Sequence, residues 1–129
     1  MATEFPFVTG EVLTAAAMNT LVAFDIGTDQ TADYTAVLAD QYQKLVPMNK
    51  VTAVAFKIPT NASVAYPVGT VITVLNKGAG TVTISAVTPG TTTVLSAGAT
   101  AASPTLAQYK TAACMKTATD TWYVVGAVA

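Results

Sequence analysis

From Tyr34 onward the chain is built of short runs in which apolar and polar residues alternate, each run ending in a turn signal. Period two marks a half-buried strand. "VTAVAFKIP" carries it most clearly: Val54, Phe56 and Ile58 fall on one face, Ala53, Ala55 and Lys57 on the other. "YTAVL" and "KLVPMN" are shorter candidates separated by the turn "ADQYQ", with Pro47 placing the second at an edge or bulge. "TNASVAYPVG" reads as a loop. "TVITVLNKG" and "GTVTISAV" read as two strands of a hairpin turning through "NKGAG". "TTTVLSAG" is a weaker strand, and "LAQYKTAACMKT" and "DTWYVVGAV" form a last hairpin around "ATD". About seven or eight strands at this spacing predict a mainly β fold, a small antiparallel β-sandwich or barrel.

One stretch breaks the alternation. In "TGEVLTAAAMNTLVAF", Leu13, Ala17 and Leu21 recur at helical spacing, as do Ala15, Met18 and Val22, and Thr14 is placed to cap the first turn. The predicted helix is short and apolar nearly all round, so it needs a surface to pack on. Before it, Pro6 holds an extended path between Phe5 and Phe7, leaving two rings to bury. Residues 1–24 therefore read as an anchor segment, an extended leader plus a short helix. The Gly, Asp and Thr of "DIGTDQTADY" make 25–32 a linker, and 33–129 the β-domain.

Composition changes the picture in one respect. Charged residues are 10% of the 129, against about 25% in an ordinary soluble domain, and apolar residues are 52%. No apolar run approaches the roughly 18 residues of a membrane span, so no membrane partner is expected. Surface this poor in charge predicts burial against further copies of the chain or a larger assembly. From Gly78 to Tyr109 there is no charged residue at all, which places that region at subunit contacts. The net charge is −1 and all six basic residues are Lys. Nothing here is built for bidentate phosphate or guanine recognition, and no nucleic-acid partner is expected.

Candidate chemistry is sparse. The absence of His removes the commonest general base and metal ligand. A single cysteine, Cys114, rules out an internal disulfide and cysteine-rich metal sites, and its alternating neighbours predict a buried thiol. Asp25, Asp29 and Asp33 lie in a turn-rich segment without the ligand spacing of a calcium loop. After Asp40 the only acid is Asp120, too little for a glycosidase cleft. "NAS" at Asn61 fits a glycosylation sequon, without meaning in a chain that shows no signal peptide. The reading is a non-enzymatic protein with no catalytic residue, cofactor or metal. Tyr109, Trp122 and Tyr123 offer rings for a sugar-binding platform, although strand alternation more often sends one such ring into the core and its neighbour outward.

Two stretches carry a resemblance. "FVTGEVLTAAAMNTL" resembles a segment near the N-terminus of many tailed-bacteriophage appendage proteins. "YTAVLADQYQKLVPMN", "VTAVAFKIPTNASVAYPVGTVITVLNKGAGTVTIS" and "TDTWYVVG" resemble a small β-domain recurring in phage tail-fibre and other virion surface proteins. The resemblance implies a virion structural protein, homotrimeric and without catalytic activity, made in the bacterial host cytoplasm and carried on the virion surface. The anchor runs almost directly into the β-domain with no shaft between, which favours a capsid decoration, knob or short-fibre protein. The partners expected are itself and other capsid or tail proteins, contacted through Phe5, Phe7, Leu13, Met18 and Leu21. The second reading is a tail-borne receptor-binding protein holding host glycan on Tyr109, Trp122 and Tyr123.

Overall fold

The computed structural model describes residue 15, residues 24–41 and residues 44–129; Phe5, Phe7, Leu13, Met18 and Leu21 lie outside them. Among the described residues ten strands follow one another: β1 (Asp25–Ile26), β2 (Tyr34–Thr35), β3 (Lys44–Met48), β4 (Val54–Ile58), β5 (Val71–Asn76), β6 (Val82–Ala86), β7 (Thr93–Ser96), β8 (Thr105–Leu106), β9 (Thr111–Ala118) and β10 (Thr121–Gly126). They form two sheets, one of six strands in the order β1-β3-β5-β9-β10-β7 and one of four in the order β2-β4-β6-β8. The fold is mainly β, a small two-sheet sandwich, as the alternation predicts.

The directions of the strands differ from the antiparallel expectation. Five of the eight strand pairings among the described residues are parallel. Successive strands alternate between the sheets, so β1-β2, β3-β4 and β5-β6 are three rungs, each laid on the one before. Between the second and third rungs the register is constant. Val46 lies beside Val74, Val54 beside Val82 and Phe56 beside Ile84, each 28 residues on, in both sheets alike.

The stretch "NKGAG" is therefore not a hairpin; it carries the chain from one sheet to the other. Its turn chemistry suits either path, and the path is decided by what lies beneath. The amides of Gly78 and Gly80 reach back to the carbonyls of Met48 and Lys50 in the equivalent corner of the second rung. A Cβ on Gly80 would stand 1.9 Å from the Thr52 carbonyl oxygen, and one on Gly78 2.2 Å from that of Lys50. Two backbones pass here with no room for side chains. Asn76, buried, completes the corner: its side-chain amide donates to the carbonyls of Gly80 and Leu106 at 2.8 Å, and its oxygen accepts from the Gly78 amide.

Residues 25–32 are part of the fold rather than a linker. The Gly27 amide donates to Leu45 O, Gln30 N to Pro47 O and Asn49 N to Gln30 O, so this segment's backbone is spent on the second rung. The three aspartates bind it further. Asp25 pairs with Lys44 at 3.6 Å, Asp29 accepts from Asn49 and Lys77 at 3.0 Å, and Asp33 accepts from the Ala55 amide at 2.9 Å. Pro47 sits within β3, not at a bulge. Its carbonyl faces Gln30 beyond the end of the two-residue β1, so its missing N–H removes no bond from the ladder.

"YTAVL" is strand only at Tyr34–Thr35; Leu38–Gln41 form one 3-10 turn. Buried Asp40 accepts from the Tyr34 hydroxyl at 2.7 Å and the Val37 amide at 2.9 Å. "LAQYKTAACMKT" divides into β8 and β9, with Tyr109 in the turn between them. The last hairpin, β9–β10, forms as expected through Thr119 and Asp120, and lies between the third rung and β7. Between the sheets the core packs Phe56, Ile58, Ile72, Ile84, Leu106, Met48 and Trp122, with Tyr66 edge-on to Trp122 at 5.5 Å.

Candidate functional site

The two sheets turn different outer faces to the surroundings. On the four-stranded sheet, the outward positions are Thr35, Ala55, Lys57, Thr83, Ser85 and Thr105, a mostly hydroxyl-bearing surface that water solvates readily. On the six-stranded sheet no outward strand position is charged. Register places Ile26, Leu45, Thr73, Ala113 and Val125 in one row across five strands. Val71, Met115, Tyr123 and Leu95 make the next row. Ile26, Val71, Tyr123 and Val125 are exposed, Tyr123 to 43%. Alternation is what sends them outward, since Ile72, Cys114, Trp122 and Val124 between them face the core.

Six strands about 4.8 Å apart, with residues about 3.3 Å apart along them, give this face roughly 500 Å² of flat area. That is about as large as the largest apolar patch on an ordinary monomer. A standard protein interface takes about 800 Å² from each partner, so neighbouring surface would have to supply the rest.

The three rings proposed for a glycan platform do not come together. Trp122 is 1% exposed and sealed against Tyr66, so it presents no face to a sugar. Tyr123, next in the strand, points out from the six-stranded sheet. Tyr109 stands alone in the β8–β9 turn, 78% exposed, with φ at +67° and its amide bonded to Asn76 O at 2.6 Å. A shallow depression of about 230 Å³ near Pro89, Leu95 and Ala101 is smaller than the roughly 300 Å³ at which ligand sites begin.

Cys114 is buried, and desolvation pushes its thiol up to about 12, so it has no thiolate character at neutral pH. Among the described residues, no three His, Cys, Asp or Glu side chains gather as a metal site. One polar group of the interior went unnoticed in the sequence. Lys116 lies at the inward end of β9, 2% exposed, donating to Asn61 Oδ1 and to the Tyr66 carbonyl. Alternation with Ala112 and Cys114 was the signal that would have found it. No family model matches the chain, and the searches of curated proteins and of solved structures also find no match.

Proposed function

We propose that the chain is a non-enzymatic structural protein of a bacteriophage virion, a homotrimeric capsid decoration, knob or short-fibre protein docked through its N-terminal segment. The observation that carries this is the contrast between the two outer faces. A hydroxyl-rich face suits solvent, whereas an uncharged aliphatic face suits contact with further copies of the chain. The resemblance of the N-terminal segment and the β-domain to phage appendage proteins supplies the setting.

Two measurements test the reading. Light scattering at several concentrations should give the mass of a trimer, and Tyr123→Glu with Val125→Glu should lower it to that of a monomer whose circular dichroism is unchanged. A wild-type chain that stays monomeric refutes the self-assembly. Deleting residues 1–24 should abolish incorporation into virions, and normal incorporation of the truncated chain refutes the docking role.

Exposed Tyr109 favours a second reading, a tail-borne receptor binder that recognises host glycan. Purified protein that competes with phage for susceptible cells, and loses the competition as Tyr109→Ala, would support it. Protein that binds no cells but raises capsid resistance to heat supports decoration.

A further inference from the structure

Lys116 is the least expected side chain of the interior. It pairs across the strands with Trp122 and lies almost wholly out of water. Lysines are almost never fully buried unless paired. Yet the ion pairs among the described residues are Lys44–Asp25 and Lys77–Asp29, and no carboxylate touches Lys116. Its Nζ donates instead to two amide oxygens, Asn61 Oδ1 at 2.5 Å and Tyr66 O at 2.7 Å.

Asp120 stands close by without reaching the amine. One of its oxygens accepts from the Asn61 amide at 2.7 Å and from the Thr92 hydroxyl at 3.1 Å, which fixes both the carboxylate and the backbone that carries the Asn61 side chain. Burial lowers the pKa of Lys116, and the charge of Asp120 opposes that shift. An amine, a primary carboxamide and a carboxylate thus meet beside the Trp122 and Tyr66 rings.

We propose that these three residues are a self-crosslinking site, at which Lys116 Nζ displaces the side-chain nitrogen of Asn61 and joins β9 to the loop after β4 by an isopeptide bond. The geometry is close to what attack requires. With a C=O bond of about 1.23 Å, a nitrogen 2.5 Å from Oδ1 lies no more than about 3.7 Å from Cγ, near the roughly 3–3.5 Å of a near-attack arrangement.

The step balances within the protein. In its uncharged form Lys116 attacks Cγ of Asn61 through the Nζ lone pair. The bond from Nζ to Cγ forms and the bond from Cγ to Nδ2 breaks. The departing nitrogen takes one proton from Nζ and leaves as ammonia, while Asp120 holds the Asn61 backbone in place. Nothing is oxidised or reduced, and no outside reactant is consumed. A buried site suits the reaction because the uncharged amine is the form that burial favours.

Intact-mass spectrometry of the folded full-length chain tests it. The expected mass is about 17 Da below that of the sequence, one ammonia lost for one amide exchanged, and tandem spectra should contain a branched peptide joining Lys116 to Asn61. Lys116→Arg keeps the charge but lacks the primary amine, and Asn61→Ala lacks the carboxamide; both should show their full sequence mass. The unreduced sequence mass in wild-type protein held folded for days at 37 °C overturns the proposal, as does a loss of ammonia mapped to other residues. The wild-type measurement decides the matter even if both variants fail to fold. It is also independent of oligomeric state and virion incorporation, so its failure leaves the proposed function standing and the reverse holds too.

Discussion

Gly80→Ala should weaken the protein out of proportion to the one methyl it adds. The new Cβ would sit 1.9 Å from the Thr52 carbonyl oxygen and 2.2 Å from its carbon. Ordinary contact needs more than a further ångström, so the corners of the second and third rungs must separate by about that much. The bond from Gly80 N to Lys50 O, now 2.9 Å, would pass beyond hydrogen-bond length, and that from Val54 N to Thr81 O would be strained with it. Two bonds at about 1 kcal/mol each, with about 1–3 kcal/mol for overpacking, exceed the 0.4–1 kcal/mol that alanine recovers by restricting the unfolded chain. The net loss is about 2–4.5 kcal/mol.

Gly90 is the control. Nothing lies within 4 Å of its Cβ position, so Gly90→Ala should be neutral or slightly stabilising. Urea unfolding followed by fluorescence of the sole tryptophan measures both, with midpoint and slope fitted separately. By melting, the Gly80 variant should fall by about 8–18 °C at roughly 4 °C per kcal/mol. Equal stability of the two variants would show that the rungs do not stack backbone on backbone at this corner.

Two further outcomes follow from the packing and the charges. Trp122→Ala should cost about 3–5 kcal/mol by opening the core beside Tyr66, whereas Tyr123→Ala, one residue on and facing outward, should cost far less in a monomer; similar losses in denaturant titrations would contradict the assigned faces. Asp29, held below its usual carboxylate range by hydrogen bonds from Asn49 and Lys77, adds stability at pH values above the ordinary carboxylate value of 3.8. That contribution disappears as pH falls through the lowered folded value. Asp29→Asn should therefore flatten the acid limb of a stability–pH curve, and an unchanged limb would remove Asp29 from it.

Much of the local structure was legible because it is set by neighbours in sequence. The buried face of β4 and the last hairpin follow from alternation and a two-residue turn. The direction of pairing was not legible in the same way, because "NKGAG" has turn residues that serve a hairpin or a crossing between sheets equally well. What distinguishes them is the corner 28 residues away on which Gly78 and Gly80 rest. That spacing was present in Val46 and Val74, Val54 and Val82, Phe56 and Ile84, and a search for internal periodicity would have found it. Residues 25–32 misled because their glycine and aspartates resemble a solvated loop; their partners lie on other rungs. The aromatic platform failed for the simplest reason: adjacent residues of a strand, Trp122 and Tyr123, cannot share a face.

The constant register between the second and third rungs makes reach a countable property. That 28-residue step advances the stack by one strand spacing, about 4.8 Å. Duplicating one such stretch inside the gene would lengthen the molecule by that fixed step and leave both ends untouched. A stack of this design could be lengthened by copying, with no new core to invent.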